Sequence, residues 1–434
     1  MQERSQRPRV VIIGGGFGGL HAAKALTNEA VEVTLIDRKN HHIFQPLLYQ
    51  VALGVLSPGE ITAVLRHIFR DSRNIDTILG EVTELDTTAR RVKLIDGAEI
   101  VYDYLIIAAG ARHAYFGHDE WEEDAPGLKT IEDAVEIRSR LLWAFETAER
   151  RARLTGPQEP PSFVVVGGGP TGVELAGAIA DLARLALAKD FKMIDTTKAR
   201  VRLYEGSSRV LPTYSEESSL KAKQQLEQLG VEVYIDSMVT AVEHGRIQVR
   251  EQWIETDVTL WATGVYPSPL GKKLGATTDR AGRVLVEQDL SVPGHREIFV
   301  IGDMSALTDA SSTSVPGLAA AALQEGKAAA ENILRDLRGH TRLSFVYQDQ
   351  GILATIGHHR AVAQFGGWTF SGLIAWLLWS LVHIFLLIGF RNRVAVMSQW
   401  VWTYLTRQGS SPLITEHRWR EFERIWKGAQ SSAN

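Results

Sequence analysis

Val10-Val11-Ile12-Ile13-Gly14-Gly15-Gly16-Phe17-Gly18-Gly19 is an apolar strand running into a G-x-G-x-x-G turn, and the pattern recurs. The second copy is Phe163-Val164-Val165-Val166-Gly167-Gly168-Gly169-Pro170-Thr171-Gly172. One such turn arises readily by chance. Two copies, each after an apolar strand and each opening a helical stretch, specify a repeated dinucleotide-binding unit, and enough chain separates them for the first to close. The first glycine of each set (Gly14, Gly167) permits a tight turn. The second (Gly16, Gly169) lets the backbone approach a pyrophosphate, and the third (Gly19, Gly172) lets the helix pack on the strand. The diphosphate then meets a helix N-terminus, whose free N–H groups and dipole favour an anion. Two nucleotides in one polypeptide imply an electron relay from a hydride donor to a tightly held acceptor.

The flanking strands extend the reading. Val31 to Ile36 ends at Asp37, about 20 residues after the glycines, where an acid accepts hydrogen bonds from ribose hydroxyls. Arg200 to Tyr204 ends at Glu205, which pairs with a 2′-hydroxyl and repels a 2′-phosphate, so the second turn selects NADH over NADPH. Arg209, close behind, pulls the other way. Tyr104 to Ile107 runs into Ala108-Ala109-Gly110, and Trp261 into Ala262-Thr263-Gly264; both are strand ends in small residues that return to the nucleotide. Ile298 to Ile301 leads into Gly302-Asp303, where Asp303 either accepts from a ribityl chain or caps the following helix. Glu174 stands in the first turn of the second helix. There it either helps the helix dipole by about 0.3–1 kcal/mol or works beside the reacting rings, relaying protons or orienting the acceptor.

Composition narrows the class. A chain of 434 residues is too long for one core, and 45% hydrophobic residues with 38 glycines suit a folded α/β protein with many tight turns. The net charge of −4 argues against nucleic acid as a partner. That mean hides an asymmetry. Residues 391–434 carry seven basic residues (Arg391, Arg393, Arg407, Arg418, Arg420, Arg424, Lys427) against Glu416, Glu421 and Glu423, a tail of +4 that leaves −8 for the rest. The absence of cysteine excludes disulfides, thiolate metal sites and every redox-active cysteine pair. His41-His42 and His358-His359 come with no HExxH pattern, so no metal is expected. A polar leader, Met1 to Arg9, enters the first strand directly, and the catalytic body is expected on the cytosolic side.

With both turns, Gly302-Asp303 and Ala262 to Gly264 in hand, the chain resembles the two-dinucleotide-binding flavoproteins of the glutathione-reductase type. In those, the first half holds FAD and the inserted half NAD(P)H. Four further stretches resemble the type II NADH:quinone oxidoreductases, the alternative, non-pumping NADH dehydrogenases. They are Phe44-Gln45-Pro46-Leu47-Leu48-Tyr49-Gln50-Val51-Ala52, Gly127 to Ala134, Ala319 to Gly326, and Gly389-Phe390-Arg391-Asn392-Arg393. The resemblance covers nearly the whole chain. It implies an α/β fold of two Rossmann-like domains plus a C-terminal membrane-associated helical region. The boundaries expected are 1–125 and 285–340 for FAD, 126–284 for NADH, and 341–434 for the membrane anchor. It implies FAD contacts at Gly14, Gly16, Gly19, Asp37, Ala109, Gly110, Gly302 and Asp303, and NADH contacts at Gly167, Gly169, Gly172, Glu205 and Gly264. Glu174 and Gln324 resemble the polar residues that the family uses around the quinone. One departure stands out. Where many members read Ala-Gln-x-Ala-x-Gln, this chain has Ala320 in place of the first glutamine, leaving Gln324 alone. The expected partners are the membrane quinone pool, membrane lipid and a second copy of the chain. Two rival readings remain, a soluble NADH-dependent reductase of a ferredoxin-like protein and a redox sensor that binds NADH.

Ser371 to Phe390 is nearly all apolar, and twenty helical residues reach about 30 Å, enough to span a bilayer core. Spanning conflicts with charge. The NADH-binding body fixes the preceding side as cytosolic, yet Arg391 and Arg393 mark the following flank as cytosolic too. A helix lying on one leaflet satisfies both, with arginines on anionic lipid. Seven of the 11 tryptophans (Trp368, Trp376, Trp379, Trp400, Trp402, Trp419, Trp426) fall in this last part, as an interfacial anchor requires. The expected location is the cytoplasmic face of the cell membrane, peripheral or monotopic.

Overall fold

Both quoted strands become the centre of a parallel sheet, which is why they are apolar along their whole length: neighbours flank them and both faces are covered, one face of the first sheet by Val82, Val92 and Leu94 of a three-stranded antiparallel meander. In the computed structural model, which describes residues 7–311, 314–406 and 413–414, Arg9–Ile13 lies between Glu32–Asp37 and Tyr104–Ile107. Ile75–Leu79 extends that sheet on one side, His295–Val300 and the antiparallel Ser291–Val292 on the other. Likewise, Ser162–Val166 lies between Arg200–Tyr204 and Val258–Trp261, with Val231–Tyr234 outermost. In each sheet the second strand and the returning strand flank the first from opposite sides. That reversal of order opens a crevice at the carboxyl ends of the strands, where the glycine turns sit.

The chain folds into two compact units, one of residues 1–43, 62–116 and 264–350, the other of 44–61, 117–263 and 351–434. These limits differ from the boundaries expected at 125/126, 284/285 and 340/341. Residues 44–61 join the second unit because the helix Leu48–Ala52 packs on Ile131–Thr155 and on Pro170–Asp181. Residues 264–284 join the first because Val265–Pro267 pairs antiparallel with Ala111–His113.

In the first unit the helix Phe17–Ala25 crosses the alanine-rich Ala319–Leu337. The crossing is tight enough that a Cβ on Gly326 would lie 2.2 Å from the Gly18 carbonyl oxygen. Small residues are what let the backbones approach. In the second unit Gly127 to Ala134 proves to be a helix start: Asp133 N–H donates to Thr130 Oγ1 (3.1 Å) and Thr130 N–H to Asp133 Oδ2 (2.8 Å), a capping box on Ile131–Thr155. A three-stranded antiparallel sheet, Ile352–Gly357, Arg360–Phe365 and Trp368–Ser371, follows at the C-terminal end.

The apolar run 371–390 corrects the expectation of one twenty-residue helix. Gly372–Leu386 stops after 15 residues, Leu387 turns extended (ψ 134°), and Gly389 adopts φ +89° before Phe390–Thr406 begins. Fifteen residues reach only about 22 Å, and among the described residues no helix is long and apolar enough to cross a membrane. Arg393, expected on anionic lipid, has a role within the fold. Its guanidinium donates to the carbonyls of Leu387 (2.8 Å) and Phe385 (2.7 Å), satisfying the end of the first helix. Arg407, Arg418, Arg420, Arg424, Lys427, Trp419 and Trp426 lie outside the described residues. Both helices are two-faced. Ala375, Trp379, Val396 and Trp400 are buried, whereas Leu373, Leu377, Leu381 and Phe385, then Phe390, Val394, Met397, Val401 and Leu405, are exposed at helical spacing.

Candidate functional site: two dinucleotide cradles and their buried acids

In the first cradle each glycine has a separate reason to be glycine. Gly14 has φ +103°, and a Cβ there would lie 2.3 Å from the Ala108 carbonyl oxygen and 3.1 Å from the Ala109 nitrogen. A Cβ on Gly19 would fall 1.8 Å from the Gly14 carbonyl oxygen, so only a bare Cα lets the helix meet the strand. Gly16 has nothing within 4 Å of its Cβ position; the backbone there faces open space. The second cradle repeats this. Gly167 has φ +106° and would clash with Thr263 and Ala262, Gly172 would strike the Gly167 carbonyl oxygen at 1.8 Å, and Gly169 is open.

The two acids stand at their strand ends, and each braces its own turn. Gly15 N–H donates to Asp37 Oδ2 (2.5 Å) and Lys39 N–H to Oδ1 (2.7 Å). Gly168 N–H donates to Glu205 Oε2 (2.5 Å), while the Ser207 N–H and hydroxyl both donate to Oε1 (2.7 Å). A carboxylate accepts about four hydrogen bonds, so both keep capacity for a ribose. Arg209 is drawn to Glu216 (3.6 Å) and the Pro212 carbonyl (3.0 Å) rather than to Glu205.

His42, which sequence reasoning left without a role, belongs to the first cradle. It is buried, its Nδ1 lies 3.0 Å from the Gly15 carbonyl oxygen, and its ring meets Phe17 edge-on at 5.0 Å. Burial pushes it down to about 4, so it is neutral at ordinary pH. A carbonyl only accepts, so Nδ1 carries the proton and Nε2 is a bare acceptor, buried with no hydrogen-bond partner among the described residues. Open backbone at Gly16, an unfilled buried acceptor at its side and a braced acid fit a bound dinucleotide.

Gly302 opens the short turn Gly302–Met304 with φ +70°, and Asp303 stands in it. Behind the turn lies Glu325, also missed: it is buried and accepts from Gly302 N–H and the Ser305 hydroxyl (3.2 Å). Burial, aided by Asp303, raises its carboxyl to about 7. The signal was available, an acid on the otherwise small face Ala321, Ala322, Gly326, Ala329. Its neighbour Gln324 is half committed: Nε2 donates to the Gln348 carbonyl (2.9 Å) and Oε1 accepts from Gln348 N–H (3.0 Å), leaving one donor and one lone pair. Gly110 (φ +65°) and Gly264 (φ +73°) begin the two short strands that pair with each other; Ala114 N–H donates to the Gly264 carbonyl (3.3 Å), placing Gly264 in the first unit.

Glu174 belongs to the second unit. Burial pushes its carboxyl up to about 8, opposed by the Thr355 N–H that donates to it. A proton therefore sits on it at neutral pH, and it stands beyond the first turn of Pro170–Asp181, which holds no acid, rather than in it as expected, so the help to the helix dipole falls away. In the same unit Gln50 is buried between Trp400 Nε1, which donates to its Oε1 (2.7 Å), and the Tyr49 hydroxyl, which accepts from its Nε2 (2.8 Å). Trp379 stacks on His383 at 4.4 Å beside this contact. Among the described residues no cluster of His, Asp and Glu could hold a metal.

Residues 8–326 match the pyridine nucleotide-disulphide oxidoreductase family, and residues 350–408 match the NDH2 C-terminal domain. The chain is 44% identical to the type II NADH:quinone oxidoreductase NdhA of Mycobacterium tuberculosis, over 94% of this chain and 90% of that one. It is 43% identical to Ndh of the same organism, over 95% and 91%. Its fold matches that of NDH2 from Plasmodium falciparum, solved in complex with NADH, with a TM-score of 0.85 at 21% identity, covering 94% of this chain and all of that one. On the repeated cradles, the cysteine-free sequence and these likenesses, the chain belongs to the type II NADH:quinone oxidoreductases, FAD-containing enzymes that pass electrons from NADH to quinone.

Proposed function

We propose that the first cradle holds FAD and the second receives NADH, and that quinone takes the electrons at a membrane surface without proton pumping. The repeated glycine geometry carries this reading: two open backbone turns, each braced by a strand-end acid, in a chain with no cysteine to take electrons elsewhere. Gly14, Gly16, Gly19, Asp37, Ala109, Gly110, Gly302 and Asp303 serve FAD. Gly167, Gly169, Gly172, Glu205 and Gly264 serve NADH. Residues 1–125 and 285–340 then form the FAD-binding part, 126–284 the NADH-binding part and 341–434 the membrane anchor. Bound FAD supplies the chemistry of accepting a hydride and releasing two electrons.

The protein contributes position and protons. The turns fix each diphosphate at a helix N-terminus, and Asp37 and Glu205 orient the riboses. Glu174, protonated at neutral pH, supplies a proton on the acceptor side; Gln324 has one N–H and one lone pair left to orient a quinone carbonyl. The exposed apolar rows of Gly372–Leu386 and Phe390–Thr406 support attachment to one leaflet; the proposed side is the cytoplasmic face, where NADH is met, and a homodimer is compatible with it.

Purification with lipid, followed by a visible spectrum and turnover with a water-soluble quinone, tests the core of this reading. A yellow protein that bleaches on NADH and regains colour on quinone is expected; a colourless one ends it. In sealed vesicles the same turnover should leave a trapped pH dye unchanged. Replacing Leu381, Phe385 and Leu405 by Asp should release the protein from vesicles while leaving the spectrum intact.

A further inference from the structure

Two acids occupy one face of the helix Pro170–Asp181. Glu174 and Asp181 are seven residues apart, about two turns, and so point the same way. Each accepts an N–H from the same stretch of the C-terminal sheet, Glu174 from Thr355 and Asp181 from His358 at 2.6 Å. Between them Gly177 lies against the strand so closely that a Cβ would come 1.6 Å from the Ile356 carbonyl oxygen. Helix and strand are thus matched at three successive points, a backbone-to-backbone contact at Gly177 between two carboxylates that each accept a strand-side N–H. The corner just beyond carries strain, since His359 has φ +61°. Asp181 also lines an open cavity of about 430 Å³ with Arg184, Glu227, His358 and Arg360.

We propose that Asp181 is a positioning residue for Glu174: its hold on the His358 N–H fixes the register of Ile352–Gly357 along the helix and so keeps the Thr355 N–H on the Glu174 carboxyl. Gly177 fixes how near the strand lies; Asp181 fixes how far along it sits. The Thr355 N–H opposes the upward push of burial on Glu174. Other titratable groups around the helix have their own engagements. Tyr214 is buried and itself held neutral, Tyr49 bonds Gln50, Arg202 pairs with Glu232 (3.8 Å), and Tyr204 stacks on Tyr234. Arg184, Glu227, His358 and Arg360 surround Asp181, whose carboxyl burial lifts to about 6.

Difference infrared titration of the holoenzyme, wild type against Glu174→Gln, reads the protonation of Glu174 itself without reference to turnover. Asp181→Ala should move that midpoint up by about one pH unit, as expected for losing one charge-assisted hydrogen bond. Asp181→Asn keeps an oxygen for His358 N–H and should move it clearly less. Gly357→Ala offers a second route if Asp181→Ala does not fold: its Cβ would lie 2.7 Å from Leu229 Cδ1 and 2.8 Å from Asp181 Oδ2, crowding the carboxylate off the His358 N–H, and the midpoint should again rise. A midpoint that stays put in the folded variants overturns the proposal. The consequence for turnover rests on the acceptor-side role of Glu174 proposed above. A midpoint that moves while the pH profile of quinone reduction does not would refute that role and leave the positioning intact.

Discussion

The two glycine turns share the backbone angle of their first glycine and the close approach of their third, and differ in what closes behind them. Gly14 and Gly167 have φ +103° and +106°, and the third glycine of each set would strike the first glycine's carbonyl at 1.8 Å. Behind the first helix, Gly326 of an alanine-rich helix meets the Gly18 carbonyl, with His42 and Glu325 buried nearby. Behind the second, Gly177 meets a strand carbonyl, and Glu174 and Asp181 flank that contact. A repeated turn therefore copies a way of holding a diphosphate. The chemistry is added by whichever distant element packs on the helix, and it differs in the two copies.

Breaking the turns one at a time should give the largest effect. Gly19→Ala places a methyl into a carbonyl and is expected to yield protein without the yellow flavin absorbance. Gly172→Ala should stay yellow and lose up to about 100-fold in kcat/KM for NADH, the upper part of the scale of overpacking by 1–3 kcal/mol. Loss of colour in both variants would show that the cradles are not divided between the two ligands. Glu174→Gln should slow quinone reduction about 100-fold while changing flavin reduction by NADH only slightly; equal slowing in stopped flow would remove its acceptor-side role.

The buried acids predict how stability depends on pH. Glu325 titrates at about 7 in the fold, against about 4.3 unfolded. Over that window the native state holds a proton that the unfolded chain has released, so stability falls as pH rises. The loss approaches roughly 3 kcal/mol by pH 7. In Glu325→Gln, thermal melts of the holoenzyme should be flatter between pH 4.5 and 7; an unchanged slope would mean that the acid ionises freely. The smallest effect concerns the second turn alone. Glu205→Gln should narrow the preference for NADH over NADPH about tenfold, equivalent to about 1.4 kcal/mol, measured as the ratio of kcat/KM values.

How much was legible depended on how locally each feature is determined. The turns, their strands and the acids at Asp37 and Glu205 follow from short-range rules: strand period, glycine spacing, and an acid about 20 residues or one strand further on. The capping box at Thr130 and Asp133 is local as well. The tail shows the limit. Its apolar content reads as one helix, yet Gly389 and the backbone bonds of Arg393 divide it into two. Gln324, expected to serve the quinone alone, is partly used by Gln348.

The linear order of residues, then, settles where the backbone can turn, which strands are central and that no thiol takes part, because each depends on neighbours within a strand or a turn. Which acids keep their protons, which histidine is left with an open acceptor, and where Gly264 belongs are settled only by packing. Desolvation and hydrogen-bond supply at those atoms come from segments tens to hundreds of residues away.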